Sequence, residues 1–459
     1  MLVENKKLGV IVDFGRVNAR DLVLAEWEES FQAMQAIEKG EISNPSEGRQ
    51  VGHYWLRSPE LAPIEYEQEI RASWETLEDL KKILPEHIEK LLIIGIGGSA
   101  LGPQFLVDAL ESHRLSIHFL DNTDPAGIDR VLRGLDLTTT AVAVLSKSGG
   151  TKETRNALLE TQKIFQDFEM IFADHAIAIT QKGSQLYQQA IEEDWLGILP
   201  LWDWVGGRTS ITGMVGLLPL AMMNRDWKKF LNGAAEMDRW TREFSASNPA
   251  LQMAHCWFEL GNGRGDKNMV VLPYKDSLQL FGRYLQQLIM ESLGKKHDLN
   301  GNKVHQGLTV YGNKGSTDQH AFVQQLRDGR DDFFANFFAV LEARDGESIE
   351  VEPGITAGDY LLGFMLGTRN ALSDAGRSSF TVLLSKVAEE QLGALIALYE
   401  RTVGYYAARI GINAYDQPGV EAGKKAAAEI LKLQQKILAG EEVPDDDDTW
   451  LLRRYLEIR

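Results

Sequence analysis

Four short strand-like runs, Leu91–Ile94, Ser116–Leu120, Ala141–Ser146 and Ala176–Thr180, are separated by stretches with helical periodicity. Such alternation builds βαβ units, and therefore a parallel sheet with helices on both faces. Two glycine-bearing loops, Gly95–Ser99 and Ser146–Thr151, follow the first and third runs. They fall beyond the carboxyl ends of the strands, where ligands of such sheets sit. A second unit of similar plan begins at Met269–Pro273, with a helix expected over Asp276–Gly294, a strand at Thr309–Tyr311 and a helix opening at Gln319. Further apolar helices are expected over Thr356–Leu372, Gln391–Gly411 and Lys424–Ile437, and a short one from Thr449. The expected fold class is α/β, with two domains, each a mostly parallel, doubly wound, flavodoxin-like sheet flanked by helices.

The loop Ser146–Thr151 carries three hydroxyls and two glycines and leads into a helix. Hydroxyls, sharply turned amides and a helix N-terminus together suit a phosphate. The same residues also read as a glycine turn and a helix N-cap. The P-loop signature is absent. With 48 basic and 66 acidic residues the chain carries a net charge of −18, which disfavours nucleic acid as a partner. An anionic ligand must then be held by local donors. A single cysteine, Cys256, precludes an internal disulfide and fits a reducing compartment. The N-terminus lacks a signal-peptide pattern, and the apolar stretch Gly213–Met223 is far short of the roughly 18–20 residues that span a bilayer. A cytoplasmic protein without membrane contact is expected. No HExxH, paired CxxC or Cys/His cluster occurs, so no metal site is expected.

Other residues carry chemistry by position. Gly95-x-Gly97-x-x-Ala100 fits the loose dinucleotide fingerprint, with Asp121 placed to hold a ribose, or else closes a strand–helix corner and presents Ser99 to a sugar. Gly206-Gly207-Arg208 sets a guanidinium before a helix, suited to a developing oxyanion or to a surface salt bridge. Gln287 and Glu291, four apart, share a helix face among Leu278, Leu285, Leu288 and Ile289; solvent-facing, Glu291 is ordinary, and buried it suits a general base. His320 follows Ser316, Thr317 and Asp318, any of which could cap the helix, which places the imidazole in a first turn where the dipole disfavours its cation. A surface histidine is the alternative. Gln417, Glu421 and Lys424 lie near another helix start, where a lysine opposes the dipole.

The segments IGIGGSALGP, LSKSGGTKET, GGRTS…GLLPLA, QQLIMESLGK, GSTDQHAF and YDQPGVEAGKK occur in the order and approximate spacing of the glucose-6-phosphate isomerase family, its shorter bacterial type. From about Leu91 to Lys425 the chain resembles that family. The resemblance implies two sugar-isomerase (SIS) domains, at residues 51–243 (smaller) and 244–430 (larger). Residues 1–50 would pack on the larger one, and residues 431–459 would form a helical tail. It implies a homodimer that interconverts glucose 6-phosphate and fructose 6-phosphate, with sites shared between subunits and neither cofactor nor metal. Ser146, Ser148 and Thr151 would hold the phosphate, with Lys147 contributing its backbone. Gly98, Ser99 and Gly207 would line the sugar. Glu291 would carry the proton between carbons 2 and 1, and Arg208 would stabilise the enediolate. Gln287 and Gln417 would position the substrate, and Glu153 would support the site. His320, from the partner chain, and Lys424 would open the ring.

This chemistry agrees with the residues read individually, since proton abstraction beside a carbonyl needs a carboxylate, a cation at the developing oxyanion and little water. Thr209, where the family usually has Phe or Tyr, Gly150, where Thr is common, Leu293, where Asn is common, and Pro418 after Gln417 depart from the pattern. A non-catalytic sugar-phosphate-binding protein of the same fold is the second reading, and a nucleotide-dependent dehydrogenase the third.

Overall fold

The computed structural model describes residues 1–459 except for the side chain of Glu421, so that member of the sequence motif lies outside the described residues. The chain divides into two compact units, Met1–Tyr415 and Asp416–Arg459. In chain order the strands of the first unit are β1 (Leu2–Asn5), β2 (Val10–Arg16), β3 (Lys90–Ile94), β4 (Ser116–Leu120), β5 (Thr140–Leu145), β6 (Ala176–Thr180), β7 (Gly197–Pro200) and β8 (Asn268–Pro273). They continue with β9 (Lys295–His297), β10 (Lys303–Gln306), β11 (Val310–Tyr311), β12 (Phe333–Val340), β13 (Glu350–Glu352), β14 (Ile355–Thr356) and β15 (Ser379–Leu384).

Five strands form an all-parallel sheet in the order β4-β3-β5-β6-β7. This is the flavodoxin-like order, and its switch point lies between β3 and β5. The two glycine loops leave the sheet on either side of that point. Continuous apolar runs such as Leu91–Ile94 suit a sheet covered on both faces. Leu92, Ile94, Val142 and Val144 face one core, closed by Ile128, Leu158 and Leu186 from helices Pro125–Leu132, Lys152–Asp167 and Gln185–Glu192. Leu91, Ile93, Ala143 and Ile177, on the other pleat, face a larger core.

The larger core lies between this sheet and a six-stranded one, ordered β1-β2-β15-β12-β8-β11, which contributes Val271, Phe334, Phe338 and Val382. Helices Met214–Met222 and Glu389–Arg409 run through that core with nearly every residue buried. The strands β15, β12, β8 and β11 are parallel, and β2 joins β15 antiparallel with Val12 opposite Val382. The outer face of the second sheet packs on Leu326, Met365 and Leu372.

Two sequence expectations are corrected. The continuous helix over Asp276–Gly294 is a 3-10 turn (Asp276–Leu278), one α-helical turn (Phe281–Leu285) and a π-helical segment (Gln286–Glu291). His320 does not sit in the first turn of a capped helix. It ends a 3-10 turn, Thr317–His320, and the next helix, Val323–Asp328, starts three residues later. Neither element has a side-chain cap, and the Asp318 carboxylate accepts from the Asn313 amide (2.8 Å) instead.

The second unit consists of helices Pro418–Leu438 and Asp447–Ile458. Gln417 is the N-cap residue of the first, Pro418 is at its first position, where a missing N–H costs nothing, and Lys424 lies in its second turn. The middle of the run PDDDD caps the second helix, since the Asp446 carboxylate accepts from the Thr449 amide (2.9 Å).

Candidate active site

The loop after β5 is shaped by its own hydroxyls. Ser146 Oγ accepts from the Gly149 amide (3.1 Å) and Ser148 Oγ from the Gly150 amide (3.2 Å). The Thr180 hydroxyl donates to the Ser146 carbonyl (2.6 Å) and ties the loop to β6. Gly149 has φ +73°, and a β-carbon there would stand 2.4 Å from the Leu186 amide, so both conformation and space require glycine. Thr151 is the N-cap residue of helix Lys152–Asp167 but makes no side-chain cap bond. The first-turn amides are thus left for an anion. Glu153 lies half-buried in that turn. Gly150, a departure from the family pattern, is exposed, and the nearest atom to a β-carbon there would be Ser148 Oγ at 3.7 Å.

The Lys147 side chain leaves the loop. Its Nζ donates to the carbonyls of Asp203 (2.7 Å) and Val205 (3.2 Å). Burial, and secondarily the nearby Arg49 guanidinium, push this ammonium down to about 8.

The loop after β3 forms a 3-10 turn at Gly97–Ser99. Gly97 has φ +59° and the Gln287 amide nitrogen lies over it, 3.2 Å from where a β-carbon would stand. At Gly98 a β-carbon would meet the Gly207 carbonyl oxygen at 2.0 Å, so two main chains touch there. Asp121, the candidate ribose ligand, accepts instead from Gln104 Nε2 (2.8 Å).

Arg208 follows Gly207 in the 3-10 turn Gly207–Thr212, and its side chain is only 4% exposed. Its Nη1 stands 3.0 Å from Glu291 Oε2 and its Nη2 donates to the Ala414 carbonyl (3.0 Å), which fixes the guanidinium plane. Glu291, 23% exposed, closes the π-helical segment, and Lys295 Nζ donates to its main-chain carbonyl (2.8 Å). Leu288 and Ile289 on the same segment are buried, so the carboxylate stands between an apolar core and a guanidinium. The wider π winding still keeps Gln287 and Glu291 near one face; π segments in helices frequently mark functional sites. Thr209, where an aromatic residue is usual in the resembling family, is buried and donates to the Gly206 carbonyl (3.2 Å). Leu293 is wholly buried.

Gly97, Gly98, Gly207, Arg208, Gln287 and Glu291 are therefore brought together by direct contacts, and the Lys147 side chain joins the hydroxyl loop to the segment just before Arg208. His320 is exposed on its turn, while the neighbouring Gln319 Nε2 bonds the Thr368 hydroxyl. Gln417 and Lys424 belong to the second unit. Residue-by-residue reading of the sequence missed Arg49 and Asn44, which lie in the polar stretch SNPSEGRQ (residues 43–50). Arg49 Nη1 donates to the Asp203 carbonyl, and Asn44 Nδ2 to that of Tyr415 (3.1 Å). No local signal marks either, because their partners lie far along the chain. No group of three or more His, Cys, Asp or Glu side chains able to hold a metal ion occurs among the described residues. No helix among them is long and apolar enough to cross a membrane.

The sequence profile described as phosphoglucose isomerase matches residues 17–356 and 330–448. A glucose-6-phosphate isomerase of Thermosynechococcus vestitus is 56% identical over 437 residues, covering 92% of this chain and 82% of its own length. The chloroplastic glucose-6-phosphate isomerase 1 of Arabidopsis thaliana is 53% identical over 458 residues, 95% of this chain and 75% of its own. Among solved structures, a glucose-6-phosphate isomerase from Chlamydia trachomatis superposes with a TM-score of 0.86 at 25% identity, covering 98% of this chain and 92% of that one. The contacts among Gly98, Arg208 and Glu291 occur within a sequence that matches at this level nearly from end to end, and the chain belongs to the phosphoglucose isomerase family.

Proposed function

We infer that this chain interconverts glucose 6-phosphate and fructose 6-phosphate, and that Arg208 and Glu291 do the central chemistry. The observation that carries the assignment of residues is the 3.0 Å pairing of the Glu291 carboxylate with a buried guanidinium. On the open-chain sugar Glu291 takes the proton from carbon 2, the electrons of that C–H bond form the C1–C2 double bond, and the carbonyl oxygen becomes anionic. Arg208 meets that charge where little water competes. A proton passes between oxygens 1 and 2, and Glu291 returns its own to carbon 1, leaving the ketose. Each step needs only proton transfer and charge stabilisation.

The amides and hydroxyls of Ser146, Lys147, Ser148 and Thr151 hold the phosphate, and Glu153 supports that turn. This grip is remote from the reacting carbons and so serves to orient them. Gly98, Ser99 and Gly207 form the sugar's main-chain wall, and Gln287 and Gln417 position its hydroxyls. Lys424 and His320 act on the ring oxygen and the anomeric hydroxyl during ring opening. His320 does so from a second copy of the chain in a homodimer. Its exposure supports this, as do the exposed Leu362 and Phe364 on helix Ala357–Asp374, whose Phe364 carbonyl accepts from Gln319 (3.5 Å). Residues 51–243 and 244–430 act as the two sugar-isomerase domains, flanked by residues 1–50 and 431–459. The protein works in the cytoplasm, where its one thiol, buried and pushed up to about 12, stays protonated.

A coupled assay in both directions tests the reading. Glu291→Gln keeps the shape of the site, and kcat is expected to fall by roughly 10²–10⁴-fold with substrate binding retained. Turnover near wild type would remove Glu291 as the base. Mixing inactive His320→Ala with inactive Glu291→Gln under subunit exchange restores activity if the site is shared, and proven heterodimers without activity would place it within one chain.

A further inference from the structure

The segment from Asp203 to Val205 has no regular structure and no strand to hold it, yet it delivers Arg208 to Glu291. Two side chains grip its main chain. Lys147 Nζ donates to the carbonyls of Asp203 (2.7 Å) and Val205 (3.2 Å), and Arg49 Nη1 donates to the same Asp203 carbonyl. Around them stand Trp202 and Trp204, stacked at 5.0 Å, and Trp204 donates no freedom to the segment because its carbonyl accepts from the Gly52 amide (3.0 Å). Lys147 is also the second residue of the hydroxyl loop, so one residue belongs to both halves of the site.

We propose that the Lys147 side chain is a positioning residue that sets the distance between the phosphate-holding loop and Arg208. The proposal rests on the isomerase reading above and deepens it. A six-carbon sugar phosphate held in one reactive conformation places its phosphorus at a set span from carbons 1 and 2. The loop that holds one end and the guanidinium that meets the other therefore need a fixed separation. The strands β5 and β7 fix only the roots of the two segments, and β6 lies between them. The cross-link through Lys147 acts at the tips. A role in stability alone fits poorly. Burying an ammonium against neutral carbonyls costs free energy, visible as the depressed ionisation of this group, and an uncharged side chain of similar length would avoid that cost.

The test uses the full chain with Lys147→Met, Lys147→Arg and, as a milder cut at the same carbonyl, Arg49→Met. Three quantities are measured: steady-state kcat, the calorimetric Kd for inorganic phosphate, and the Kd for a five-carbon sugar-acid phosphate whose carboxylate copies the enediolate oxygens. Inorganic phosphate touches one end of the site and the sugar acid spans both. Lys147→Met is expected to lower kcat by up to about 10²-fold and to weaken the sugar acid about tenfold, with phosphate binding within about twofold. Lys147→Arg should recover part of both losses, and Arg49→Met should shift both in the same direction by less. If Lys147→Met fails to fold, the Arg variants carry the comparison. Parallel weakening of both ligands with kcat unchanged, or a lowered melting temperature with kcat and both affinities intact, would overturn the proposal. A wild-type chain that binds both probes but turns over no sugar phosphate would sink the isomerase reading alone, since the two dissociation constants still report the spacing.

Discussion

In the first sheet the earliest strand stands second, in the order β4-β3-β5-β6, and in the other the order β11-β8-β12-β15 repeats that arrangement strand for strand. Each has a lysine two residues past a central strand that bridges to main-chain carbonyls at the carboxyl edge. Lys147 reaches Asp203 and Val205, and Lys275 reaches Glu342 (3.2 Å) and Ala343 (2.7 Å). Burial lowers the ionisation of both. The sheets part company at the helix after the third strand of the plan. Helix Lys152–Asp167 starts from Thr151 without a side-chain cap. Helix Ala357–Asp374 is closed by a reciprocal capping box, in which the Asp359 carboxylate accepts from the Thr356 amide (2.7 Å) and the Thr356 hydroxyl from the Asp359 amide (3.3 Å). An aspartate already occupies the place an anion would take. The repeated topology supplies two comparable helix starts, and only the one at Thr151 leaves its first-turn amides without a side-chain cap.

The contrast can be broken or sharpened in steps of decreasing size. Gly98→Ala drives a methyl group into the Gly207 carbonyl and parts the loops of the first sheet, so kcat/KM should drop by about 10²-fold or more in the coupled assay. Ser148→Ala combined with Thr151→Ala removes hydroxyls from the open helix end, and KM is expected to rise about tenfold with kcat much less affected. If KM stays flat, the loop is a plain turn and the two sheets are equivalent.

A smaller effect follows from pH. The Lys147 ammonium faces Arg49, Asp203 and Glu47 and loses its proton as pH rises through about 8. KM for the sugar phosphate should climb a few-fold between about pH 7.5 and 9 in the wild type and stay level in Lys147→Met. Between about 8 and the ordinary 10.5 the unfolded chain holds more protons than the folded one, so this group's contribution to stability rises with pH across that window. The smallest change is expected on the other sheet. Thr356→Ala should cost about 1 kcal/mol of stability, read from denaturant midpoints, and leave kcat/KM within about twofold.

The strands of the first sheet were legible because parallel strands covered on both faces read as uninterrupted apolar runs, Ala141–Leu145 being the plainest. The loops were legible as well, because glycine and hydroxyl chemistry is local. The break of Asp276–Gly294 into three windings was not, since the partners of that segment, such as Phe105 beside Phe281 and Arg208 beside Glu291, lie far away along the chain. His320 went astray because capping was inferred from residue type, whereas the Asp318 carboxylate is committed to Asn313. The resemblance implied only that residues 1–50 pack on the larger domain; that β1 and β2 extend the second sheet beside β15 was not legible, because strand pairing across more than 350 residues leaves no local signal. The braces from Arg49 and Asn44 were hidden altogether, each spanning more than 150 residues of chain.

The contact between Gly98 and Gly207 bears on how this enzyme can change. A surface made of peptide groups presents the same donors and acceptors whatever mutations accumulate beside it, and at Gly98 there is no room for even a methyl group. Change on this side would have to come through side chains that stand over it, such as the Gln287 amide beside Gly97, leaving the peptide contact itself as an inherited constant.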